Sequence, residues 1–175
     1  MLHGGIHKIE FSALSDSSSS SNIAIENSSN LTVKTPTINN TDSDPEISNL
    51  GANFTQPGQS VSYTFYARNI GEYEAFLNSV TISGNKTCTA INGTSEEVKN
   101  TLCEGLSLSI TVGEGLDAVT LPSSTSYGSN IDNHKLTING SEKIVVTISY
   151  NPTNALVGDI SATFGTIGLN YNGVD

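Results

Sequence analysis

The stretch Pro57–Ser83, PGQSVSYTFYARNIGEYEAFLNSVTIS, limits this chain more than any other. Val61, Tyr63, Phe65 and Ala67 alternate with Ser62, Thr64, Tyr66 and Arg68, the period of a half-buried strand. A Gln56-Pro57-Gly58 turn precedes it, and a tight Asn69-Ile70-Gly71 turn leads into a second strand over Phe76–Ser83. Neither strand gives way to a catalytic motif. The grammar is that of a β-sandwich with a mechanical or adhesive role.

Further segments repeat it. Leu106, Leu108, Ile110 and Val112 alternate with polar partners, which predicts another strand. Lys135–Ile138 and Lys143–Tyr150 flank Asn139-Gly140, the pair favoured in a type I′ hairpin turn. Ile160–Tyr171 reads as a final strand that Gly165 and Gly168 bend as bulges. Weaker strands are expected at Ile23–Ile38, where Pro36 marks an edge or bend, at Ile47–Phe54 and at Leu116–Leu121. One helix is expected between Asn85 and Glu104, with Thr94 as N-cap, Glu97 completing a capping box and Gly105 as the stop. The fold class expected is all-β: an Ig-like or jelly-roll sandwich of two antiparallel sheets with one short helix in an insertion.

Composition narrows the function. Ser, Thr and Asn make up about a third of the chain, and charged residues only 14 %. The net charge is −10, and the single Arg and six Lys are scattered. Nucleic acid and anionic membrane surfaces both draw on clustered cations, so neither is an expected partner. No run of about 18 apolar residues is available to span a bilayer. Met1–Leu14 lacks the continuous apolar core of a secretion signal, so an exported form is expected to be mature or trimmed.

Cys88 and Cys103 are the whole thiol inventory, and their spacing fits no zinc pattern. A disulfide in an oxidising compartment is the expectation, with two buried free thiols of a cytosolic protein as the alternative. The bond would pin the insertion that carries the helix.

The chain divides into an N-terminal extension, residues 1–22, and a sandwich domain, residues 23–175. The extension holds a candidate strand, His7–Leu14, with Ile9, Phe11 and Ala13 on one face, followed by SDSSSSSN over Ser15–Asn22. That linker has no apolar side chain to bury. A strand on such a tether can leave its own domain and add to the edge of a neighbouring copy. Repeated head to tail, the contact does not close and makes a filament. The plainer alternative is that the segment pairs within its own sheet.

Little else points to chemistry. Asn40, Asp42, Asp44 and Glu46 alternate through NTDSDPE, the oxygen-ligand spacing calcium uses, without the Gly and terminal Glu of an EF-hand. A solvated acidic loop explains the same residues. Glu72 and Glu74 beside Gly71 form a second, weaker group. His3 and His7 are separated by glycines that oppose a helical metal face, and His134 stands alone. No nucleophile elbow, phosphate-binding loop or paired acid and base is present, so no enzyme activity and no cofactor beyond possible calcium is expected. Seven glycosylation sequons occur, at Asn27, Asn30, Asn39, Asn53, Asn85, Asn92 and Asn139.

The runs SVSYTFYARNIGEYEAFL and KIVVTISYNP…FGTIGLNY resemble the TasA/camelysin-type family of exported bacterial matrix proteins, over roughly a third of the chain. The resemblance implies a jelly-roll subunit of an extracellular fibre, pilus or biofilm matrix, completed by the N-terminal strand of the next copy. The metallopeptidase activity attached to camelysin-like members is not carried over, because no His-Glu-x-x-His stands here. The expected function is therefore a homopolymeric structural subunit outside the cell or on its surface. The alternative is a monomeric adhesive or glycan-binding module.

Overall fold

A computed structural model of the chain describes residues 9–12, 23–39, 45–83, 86–115, 119–121, 126–127, 135–152 and 157–174. The period-2 alternation becomes three central strands of one antiparallel sheet: β7 (Ser60–Asn69), β14 (Ser141–Tyr150) and β10 (Leu106–Val112). Every second residue of each is buried, from Val61, Tyr63, Phe65 and Ala67 to Ile144, Val146 and Ile148 and on to Leu106, Leu108 and Ile110. A fully buried side chain of this kind contributes about 1.5–3 kcal/mol. A one-residue slip would expose the whole set, so burial alone fixes the register. β11 (Val119–Leu121) extends the sheet beyond β10, while β1 (Ile9–Ser12) and β2 (Ala24–Asn27) share the other edge along β7.

The opposing layer is made of two antiparallel sheets that share their passes of chain and meet at a crease. Its near half has the order β8 (Glu74–Ser83), β16 (Thr166–Val174), β5 (Glu46–Ser48), β4 (Thr37–Asn39). Its far half has β9 (Thr87–Ile91), β15 (Asp159–Phe164), β6 (Leu50–Phe54), β3 (Thr32–Val33) in the same order. The same four passes of chain build both halves, and each breaks at the crease. The breaks fall between Ser83 and Thr87, at Gly165, at Asn49 with φ 62°, and at Lys34–Pro36. β12 (Ser126–Tyr127) and β13 (Lys135–Leu136) cover the outer edge of β8. Phe54 and Tyr150 meet across the layers with ring centroids 5.2 Å apart, inside one hydrophobic core. The molecule is an all-β sandwich of antiparallel sheets with one short helix.

Several sequence expectations change in detail. The Asn139-Gly140 turn is no hairpin: β13 pairs with β8, whereas β14 pairs with β7 and β10. Asn139 alone has positive φ (66°), and the Gly140 N–H closes on the Thr137 carbonyl at 2.8 Å. That is the backbone of a turn with Asn at its third position, and it carries the chain between layers. The Asn69–Gly71 corner does the same between β7 and β8. The bulge in the last strand pair lies at neither Gly165 nor Gly168. It lies opposite Asn170–Tyr171, where the pairing skips Asn78 and shifts burial from Leu77 to Val80.

The helix α1 (Glu96–Cys103) is capped by Ser95, not Thr94; the Ser95 hydroxyl accepts from the Val98 N–H at 3.2 Å. Thr94 is occupied elsewhere. Its N–H closes a turn on the Ile91 carbonyl at 3.1 Å, and its hydroxyl accepts from the Asp159 N–H at 2.8 Å. Within that turn Asn92 and Gly93 both have positive φ, 54° and 81°, the type I′ pattern expected at the other Asn-Gly.

Candidate functional site

Two features of the first sheet bear on partners. The first is the β7 edge. β1 runs antiparallel to β7 with Ile9 opposite Asn69 and Phe11 opposite Ala67, both buried residues of β7. β2 continues along the same edge, with Ala24 opposite Thr64 and Asn27 opposite Val61. Ser12 lies opposite Tyr66 and Ala24 opposite Thr64, so residues 13–23, eleven in all, stand in sequence between two strands separated along β7 by the single position of Phe65. The expected donor strand thus lies on its own sheet in this structure. Ala13 falls outside the described residues.

The second feature is the outer face of the same sheet. Alternation that buries one half of β7, β14 and β10 turns the other half outward. The register places Ser62 beside Thr147 and Ser109, Thr64 beside Val145 and Thr111, and Tyr66 beside Lys143. All of these are half-exposed, and the Ser62 and Thr147 hydroxyls lie 2.9 Å apart. Arg68, the only arginine, sits on this face opposite Ser141. Lys143 pairs with Glu114 at 3.9 Å, on an exposed surface where such a pair contributes little. The result is a broad surface of hydroxyl donors and acceptors with one aromatic ring and two cations. The sequence carried its signal in the polar half of each alternation, which reads as ordinary solvated surface.

A buried polar corner holds the end of this sheet. Asn69 is fully buried; its side chain accepts from the Gly71 N–H at 2.9 Å and donates to the carbonyls of Tyr73 at 2.8 Å and Leu136 at 3.2 Å. Its main chain bonds both Gly140 and Asn139 at 2.9 Å, so one residue joins two interlayer corners. Nearby, the buried Tyr171 hydroxyl donates to Glu142 at 3.3 Å. Burial, with the Glu142 carboxylate added, raises the Tyr171 hydroxyl well above its ordinary pKa. Sequence reading missed both residues, because nothing local marks a polar side chain as buried.

Cys88 on β9 and Cys103 at the end of α1 form a disulfide, as expected. Glu46 of the acidic loop is half-exposed on β5; Asn40, Asp42 and Asp44 lie outside the described residues, as do His3, His7 and His134. Among the described residues no group of three or more His, Cys, Asp or Glu is placed to hold a metal ion. Glu74 pairs with Lys135 at 3.2 Å, and Glu72 is exposed. Of the sequon asparagines, Asn27, Asn30, Asn39, Asn92 and Asn139 are exposed, Asn53 is half-buried on β6, and Asn85 is outside the described residues. Among the described residues no helix is long and apolar enough to cross a membrane.

No family model matches the chain, and no curated protein matches it. Among solved structures the chain is similar to TmCBM61 in complex with beta-1,4-galactotriose, at 12 % identity and a TM-score of 0.36, with 88 % of this chain and 90 % of that one covered.

Proposed function

We propose that this protein is a secreted or cell-surface β-sandwich that acts as an adhesive or glycan-binding module through the outer face of its first sheet. The observation that carries the reading is the registered array of Ser62, Thr64, Ser109, Thr111 and Thr147 hydroxyls, with Tyr66 at its end. A sugar polymer presents hydroxyls that pair with such an array and C–H faces that stack on an aromatic ring. The disulfide supports an oxidising location. The chain's net charge of −10 gives it solubility without an electrostatic claim on a neutral polymer. The test is binding of the strictly monomeric protein to a glycan and host-protein array. Retention that Tyr66→Ala and Arg68→Ala weaken supports the reading. An empty array, or binding that neither substitution alters, overturns it.

The fibre subunit is a second reading, favoured by the length of chain between β1 and β2. Continuing one edge strand past Phe65 needs a single residue, yet the chain supplies eleven. Fully extended, those eleven reach about 40 Å, longer than β7 itself at about 33 Å. β1 can therefore leave its place and seat on the same register of a neighbouring copy, whose own β1 passes to the next. Deletion of Met1–Leu14 should then abolish polymers in electron micrographs. Fibres that persist without the segment, or a full chain that never polymerises, remove this mechanism.

A further inference from the structure

Asn-Gly occurs three times in the chain, at Asn92-Gly93, Asn139-Gly140 and Asn172-Gly173. In this dipeptide the glycine nitrogen can reach the asparagine side-chain carbon with no Cβ in the way. Whether it does so depends on what that nitrogen is already bonded to, and the three sites differ. The Gly140 N–H is held by the Thr137 carbonyl at 2.8 Å. Gly173 lies inside β16, in register with Ala75 of β8. Gly93 stands at the tip of the type I′ turn between β9 and α1, where the closing bond belongs to Thr94 and the Gly93 N–H has no hydrogen-bond partner among the described residues. Asn92 is exposed, and its side chain projects to Asp159, donating from Nδ2 to Oδ2 at 2.8 Å.

We propose that Asn92 is a site of spontaneous self-modification. The Gly93 nitrogen attacks Asn92 Cγ and closes a five-membered imide. The Cγ–Nδ2 bond breaks, and the nitrogen leaves as ammonia with the proton that Gly93 loses. Water then opens the ring, its hydroxyl adding to one imide carbonyl carbon and its proton to the released nitrogen. The product is an aspartate at position 92, with either the normal or the side-chain-linked backbone; no redox partner is involved. The conversion removes the donor that faced Asp159 and sets a second carboxylate beside it. It also erases the Asn92-Gly93-Thr94 sequon, so a glycan and this modification exclude each other at one residue.

The experiment is peptide mapping by mass spectrometry of the folded full chain during incubation at mildly alkaline pH, scored for imide, aspartate and isoaspartate at each site. Opening the Gly140 hydrogen bond costs the net worth of one such bond, so the Asn92 peptide should convert about two- to tenfold faster than the Asn139 peptide. Asn172, inside a ladder, should be slowest. In denaturant the Asn92 and Asn139 rates should converge, and Asn92→Gln should abolish conversion of its peptide while leaving the others unchanged. Conversion of folded Asn139 or Asn172 at an equal or greater rate overturns the proposal, as does an Asn92 peptide that stays intact.

Discussion

The Tyr63 hydroxyl crosses the core from β7 and accepts from the Gly51 N–H at 3.1 Å. It lies 2.8 Å from the Gly51 carbonyl and 3.1 Å from that of Lys34, between which its single proton is shared. These are backbone groups at the crease of the opposite layer, where a strand cannot continue its own ladder unbroken. One side chain from the first sheet thus bonds main-chain groups of the opposite layer. Tyr63→Phe should lower stability by about 1–3 kcal/mol, the cost of taking its acceptor from the buried Gly51 N–H, since the Gly51 carbonyl keeps the Lys34 N–H. Urea denaturation should show a lower midpoint with an unchanged slope.

Gly51 is the other half of that relationship. A Cβ there would lie 1.9 Å from the Ala162 carbonyl oxygen, on the paired strand β15. Backbone in a ladder has little room to yield, so Gly51→Ala should destabilise at or above the upper end of the usual overpacking range of about 1–3 kcal/mol. Loss of soluble expression, or a thermal midpoint far below that of the parent, checks this.

Asn69→Ala should destabilise by about 2–4 kcal/mol, since it leaves the Gly71 N–H and the carbonyls of Tyr73 and Leu136 without their partner in a buried corner. Hydrogen exchange should show the loss first at the β7–β8 and β13–β14 corners.

Alkaline pH should weaken the fold. Burial raises the hydroxyls of Tyr63, Tyr150 and Tyr171 above the ordinary value of 10.0, most of all at Tyr171. Above about pH 10 the unfolded chain releases these protons while the native state keeps them, so the unfolded state gains and stability falls as pH rises. Stability is unaffected by these groups below that range. Thermal unfolding between about pH 8 and 11 should show the decline, and Tyr171→Phe should flatten it.

Reducing the Cys88–Cys103 bond, or replacing both residues with serine, should cost about 3 kcal/mol for a loop of 15 residues in the chain-entropy account. Denaturation midpoints with and without reductant measure it; equal values would show that α1 docks on β9 and β15 without the link.

The central strands were legible because burial on one face imposes a period of two. Val61 to Ala67, Leu106 to Val112 and Ile144 to Tyr150 announce themselves in that way. The cysteine pair was legible from count and spacing. The two Asn-Gly turns were not separable: one closes a type I′ turn before α1, the other crosses between layers, and the dipeptide is the same. Thr94 and Ser95 are equally good caps on paper, and the choice was made by Asp159, 64 residues beyond Ser95. The outward hydroxyls of β7, β10 and β14 carry no mark as a site until the register lines them up.

Chain chemistry alone settled that this polypeptide forms strands, which side of each faces inward, and that its thiols can pair. Periodicity is a local property, and water reads it residue by residue. Which strands lie side by side, where the second layer bends, and which polar groups end up dry were decided by packing. Those outcomes depend on contacts between residues far apart in sequence, such as Tyr63 with Lys34, Asn69 with Leu136 and Tyr171 with Glu142.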